Sequence, residues 1–93
     1  MFKCNEYFDG KVKSLAFQSS DKPATIGVMT AGKYTFSTQA PESVTVISGE
    51  PIITLPGSST AQSFCAGDNF DVPGNSAFDA QVMADSADLC LYG

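Results

Sequence analysis

The chain has 93 residues, five lysines, no arginine, no histidine and ten carboxylates, for a net charge of −5 and a pI of about 4.2. That length holds one domain, residues 1–93, with a thin core, and 43% hydrophobic with 16% charged residues excludes a disordered chain. The acidic balance excludes backbone binding to nucleic acid, which needs clustered cations, and the missing imidazole excludes His-based triads, Cys-His dyads and the commonest metal centres.

Residues 1–7 carry no apolar signal-peptide core, and no apolar run approaches the roughly 18 residues of a membrane span, so a cytoplasmic, membrane-free protein is expected. Turn signals then recur every few residues: Asp9-Gly10, Ser19 to Pro23, Ala31-Gly32, Ala40-Pro41, Gly49 to Pro51, Pro56-Gly57, Gly67-Asp68, Pro73 to Asn75 and Asp85-Ser86. Lys11 and Lys13 share one parity, as on the outer face of a strand. Tyr34, Phe36 and Thr38 alternate with Lys33, Thr35 and Ser37, and Val44 and Val46 alternate with Ser43 and Thr45. Residues 59–66 tolerate a helix but lack an apolar stripe. Phe78, Ala80 and Val82 alternate with Asp79 and Gln81, and Leu89 and Leu91 with Asp88, Cys90 and Tyr92. Period two is the mark of half-buried strands. Cys4, Cys65 and Cys90 have wide spacings and no CxxC, so they read as free thiols, with Cys65 and Cys90 in the core. Asp85 and Asp88 read as solvated residues flanking a turn.

The result is an all-β chain of roughly eight to ten short strands, best fitted by a jelly-roll-like barrel enclosing a pocket for one small ligand. Two spacings sharpen this, Glu42-x6-Gly49 and Gly67-x5-Pro73, which resemble parts of the two cupin motifs. A single small cupin barrel is therefore expected. Every cupin histidine is replaced: Phe36 and Thr38 fall at the first pair (Thr38 and Ala40 if counted from Gly32), Phe78 at the second-motif histidine, and Asn75 at that motif's second glycine. A lone Glu42 is no metal site, so no metal is expected.

The segments Asn5 to Phe8, Gly10 to Ser14, Gly27 to Met29, Gly32 to Thr38, Pro41-Glu42 with Thr45 to Gly49, and Phe70 to Gly74 resemble the small cupin-type pyrimidine/purine nucleoside phosphorylases. The resemblance covers nearly the whole chain. It implies phosphorolysis, a pentosyl transfer in which a purine or pyrimidine nucleoside and phosphate give free base and α-ribose 1-phosphate. No cofactor is implied beyond phosphate as co-substrate, and a homodimer would cover an open strand edge. Some members carry His, Glu and His after Pro-Gly, where this chain has Asn75, Ala77 and Asp79.

Such a reaction must hold phosphate near C1′, hold the ribose hydroxyls and relieve negative charge on the departing base. Glu42, aimed into the barrel by its motif, is the candidate catalytic carboxylate, binding ribose or donating a proton. Tyr34, Phe36, Phe78 and Tyr92 are candidates to stack on the base. Thr38, Ser48, Asn75 and Gln81 offer hydroxyls and amides for ribose or base edges. Lys11 and Lys13 are the only basic pair for phosphate. Two other readings fit the same barrel: a regulatory module that binds a sugar or nucleoside, and a sugar isomerase or epimerase using Glu42 with Tyr34.

Overall fold

The computed structural model describes residues 2–93, and among them no helix is present to cross a membrane. Ten strands form: β1 Lys3–Tyr7, β2 Val12–Gln18, β3 Pro23–Met29, β4 Gly32–Thr38, β5 Glu42–Ser48, β6 Ile52–Thr54, β7 Gln62–Ser63, β8 Asn69–Val72, β9 Ser76–Val82 and β10 Ser86–Tyr92. All pairings are antiparallel, in a six-stranded sheet ordered β1-β2-β3-β10-β5-β8 and a four-stranded sheet ordered β4-β9-β6-β7. The all-β expectation is met. Residues 59–66, the segment with helical tolerance, hold only β7 and turns.

Alternation places the core. Val44 and Val46 of β5, Phe70 and Val72 of β8, and Phe78, Ala80 and Val82 of β9 all point inward. One apolar cluster gathers Val44, Ile53, Phe70, Val72, Phe78, Ala80 and Cys90, and a second gathers Val12, Met29, Tyr34 and Val82. Phe36 packs against both and joins them. Successive ring contacts then run Phe8–Tyr34–Phe36–Phe78–Phe70–Phe64, with centroids 4.8 to 6.0 Å apart, the spacing at which aromatic pairs attract.

Two local readings are corrected. Asp88 is not a solvated turn residue, because β10 begins at Ser86 and carries Asp88 inside the ladder, facing the interior alongside Ser86, Cys90 and Tyr92. Cys65 is exposed, because it opens the turn before β8, where its backbone N–H donates to Asp68 Oδ2 at 2.8 Å. Cys90 is buried and all three cysteines are free thiols, as expected.

Candidate active site

The concave side of the six-stranded sheet encloses a cavity of about 370 Å³, large enough for a small ligand. Its floor is built by register. Across the sheet, Ser14 of β2 faces Gly27 of β3, Gly27 faces Asp88 of β10, and Asp88 faces Val46 of β5. One row along, Thr25 faces Cys90, which faces Val44. At the end of β10, Tyr92 faces Glu42. Phe36, Ile53, Phe70 and Phe78 supply apolar walls, and Tyr7 and Phe8 of the β1–β2 hairpin stand at the cavity too.

The polar groups are few and specific. Glu42 is half-buried, and its Oε1 accepts a hydrogen bond from the Cys90 thiol at 3.4 Å. Burial raises the Glu42 carboxyl above its usual range, and the Cys90 hydrogen bond partly offsets this. Burial, then the Glu42 charge, push Cys90 up to about 12, so it remains a protonated donor. Tyr92 bonds Thr25 Oγ1 through its hydroxyl at 2.9 Å, and burial raises its phenol also. Asp88 is raised to about 6, first by burial and then by the Glu42 charge.

Among the residues nominated from sequence, Glu42, Phe36, Phe78 and Tyr92 meet on the cavity wall. Tyr34 lies beneath it in the core, where its hydroxyl donates to the Thr30 carbonyl at 2.9 Å. Thr38 is buried against the β8–β9 turn. Its Oγ1 donates to the Pro73 carbonyl at 2.7 Å and accepts from the Ser76 N–H at 3.0 Å. Asn75 is exposed at that turn's tip with φ 50°, a left-handed conformation that Asn tolerates well. Gln81 lies away from the cavity, in a shallow groove with Lys33 and Asp79.

Ser48 lies outside for a visible reason. Asp88 faces Val46 but Ala87 faces Ser48, so Ile47 is an extra residue in β5 and the strand's facing inverts there. Ser48 thus joins Lys11 and Lys13 in an outer groove that also contains Asp85. Lys13 Nζ is paired with Glu6 Oε1 at 3.2 Å, both side chains largely exposed.

The residues that sequence reasoning missed are Asp88, Ser14, Thr25 and Phe8, with Cys90 recognised only as core. Parity held the signal for two of them. Tyr92 was nominated, and Asp88 and Cys90 share its face of β10.

A family model described as pyrimidine/purine nucleoside phosphorylase matches residues 2–92. A Marinobacter nauticus protein named pyrimidine/purine nucleoside phosphorylase is 56% identical over the whole of both chains. One of that name from Alcanivorax borkumensis is 53% identical, over 100% of this chain and 99% of its own. A crystal structure of a Vibrio parahaemolyticus protein of unknown function is 43% identical, with a TM-score of 0.95 and coverage of 100% and 99%. An RmlC-like cupin from Shewanella frigidimarina shares the fold, with a TM-score of 0.76, 18% identity and coverage of 98% and 82%. The expected cupin barrel is thereby established.

Proposed function

The chain belongs to the pyrimidine/purine nucleoside phosphorylase family, and from that premise we propose that it carries out phosphorolysis of purine and pyrimidine nucleosides in the cavity of the six-stranded sheet. The observation that carries this reading is the composition of the wall: aromatic side chains beside a half-buried carboxylate, in a hollow sized for one small ligand.

Cleavage of the N-glycosidic bond passes through a ribosyl centre with oxocarbenium character. Glu42, with Cys90 donating to one oxygen, offers the other to the ribose hydroxyls and opposes the positive charge that develops at C1′. Phe36, Phe78 and Phe8 line the cavity and would stack on the base. Stacking accepts any base, which suits both purines and pyrimidines. Among the described residues no lysine lines the cavity, so phosphate is held by uncharged donors such as the Ser14 hydroxyl and backbone N–H groups.

A metal has no part in this reading. Cupin barrels hold metals through histidine, which this chain lacks, and among the described residues no three acidic, thiol or imidazole groups cluster to hold an ion. The same reading makes the protein a cytoplasmic homodimer. Leu15, Ile26 and Val28 are 47%, 44% and 52% exposed on the convex face of the large sheet, and a second copy would cover them. Ile26→Lys should then convert the dimer to a monomer in light scattering, and a wild-type monomer would remove this element.

The central test is incubation of metal-stripped protein with uridine or adenosine, with and without phosphate. Free base should form only with phosphate, and excess chelator should leave the rate unchanged. Release without phosphate would identify a hydrolase. Binding without turnover would identify a regulatory nucleoside-binding cupin.

A further inference from the structure

We propose that Asp88 is the acid that protonates the departing base, seated on the cavity floor by the missing side chain of Gly27. This inference deepens the phosphorolysis reading and rests on it. Gly27 stands directly opposite Asp88 in the β3–β10 ladder. A methyl group at position 27 would lie 3.2 Å from Asp88 Oδ1, tighter than ordinary packing, so the bare glycine backbone provides the space the carboxyl uses. On the other flank Asp88 faces Val46, which is fully buried and apolar. Burial and the Glu42 charge, with no hydrogen bond, set the state of this carboxyl. Since no sealed-off side-chain oxygen or nitrogen among the described residues lacks a partner, its oxygens open onto the cavity, and the only ion pair among those residues lies elsewhere, between Lys13 and Glu6.

A carboxyl with no cation, no donor and an apolar flank keeps its proton up to about pH 6. The groups that share the cavity with it are Glu42 on β5, Cys90 and Tyr92 on β10, and Tyr7 on β1, while β2 and β3 contribute the uncharged Ser14 and Thr25. Glu42 is the charge that matters, and its effect on Asp88 has the same sign as burial. The two carboxyls therefore divide the work. Glu42, with a thiol donating to it, serves as the anion, and Asp88 serves as the neutral acid.

The step balances. The C1′–N bond breaks with its electron pair going to the base, and a phosphate oxygen forms the new C1′–O bond. The Asp88 proton passes to a ring nitrogen or carbonyl oxygen of the base. Hydrogen phosphate brings one proton, which the product ester loses, and this restores the acid.

The test is the substrate dependence of Asp88→Asn. Guanosine needs a proton on its leaving base, whereas 7-methylguanosine carries a cationic base that leaves neutral without one. The variant should lose about 10²-fold or more in kcat/KM for guanosine and less than about threefold for 7-methylguanosine. Gly27→Ala should show the same split to a smaller degree. In the wild type, kcat/KM for guanosine should fall as pH rises through about 6, and this limb should vanish in Asp88→Asn. Equal losses on the two nucleosides, or a wild-type profile without that limb, would overturn the proposal while leaving phosphorolysis intact. A wild-type protein that releases no base from either nucleoside would remove both.

Discussion

The Cys90 thiol and the Glu42 carboxylate are joined by a hydrogen bond of 3.4 Å between neighbouring strands of the large sheet. Because the thiol is pushed up to about 12, it donates at every physiological pH and favours the ionised carboxylate. Cys90→Ala removes that donor, so the Glu42 carboxyl should rise further. The acid-side rise of kcat/KM should then move to higher pH, and a profile that superimposes on the wild type would show that the thiol does not tune the carboxylate.

Glu42→Gln keeps the size of the side chain and removes its charge. Loss of a carboxylate that opposes ribosyl charge should cost about 10²-fold or more in kcat/KM, with the melting temperature little changed. Wild-type rates in this variant would reduce Glu42 to a wall residue without a part in the reaction.

Asp88 should also leave a mark on stability. Its proton is held more tightly in the folded chain, at about 6, than at the ordinary value of 3.8. Ionising it in place therefore weakens the fold. The penalty is absent below about pH 4, grows through the interval up to about 6 and is complete above, at an order of 2–3 kcal/mol. Asp88→Asn should raise the melting temperature at pH 7.5, by about 10 °C if the whole penalty is recovered, and leave it nearly unchanged at pH 4. A shift of equal size at both pH values would contradict the burial argument.

Phe8 occupies the left-handed region with φ 54°, where a bulky side chain is strained. Its ring lies 5.0 Å from Tyr34 and 5.8 Å from Phe36 by centroids, at the cavity. Asn at this position suits the turn and gives up the ring. If Phe8 stacks on the base, Phe8→Asn should raise the nucleoside KM about tenfold with kcat largely preserved. An unchanged KM would assign the ring to packing alone.

Gly49 closes the Glu42-x6-Gly49 spacing, and its φ of +92° with a β-carbon that would collide with Ser86 Oγ explains why glycine is required. Gly49→Ala should destabilise by more than about 2 kcal/mol, measurable by urea denaturation. A neutral result would show that Ser86 can move aside.

The strands were legible because their alternation is clean. Val44 with Val46, and Phe78 with Ala80 and Val82, are all buried as their parity demands. The carboxylate at position 42 was legible because its motif fixes which way it faces. Asp88 was obscured by its neighbours, since Asp85, Ser86 and Asp88 together resemble a turn and only the strand's start at Ser86 makes Asp88 internal. Phe8 was hidden because no propensity places a phenylalanine at φ 54°. Thr38 shares the parity of buried Tyr34, yet its hydroxyl goes to the Pro73–Ser76 turn, a partner 35 residues away that local pattern cannot reveal.

The extra residue Ile47 decides which hydroxyl faces which solvent. Deleting it would restore simple pairing along β5 and leave Ser48 opposite Ala87 on the outer face, because Ser48 would then directly follow the inward-facing Val46. What would turn Ser48 inward is a slip that pairs Ile47 with Ala87, and the close seat of Gly49 against Ser86 opposes that slip. A substitution library at Ser48 would therefore vary the outer groove beside Lys11 and Lys13 and leave the cavity lining and Glu42 as they are.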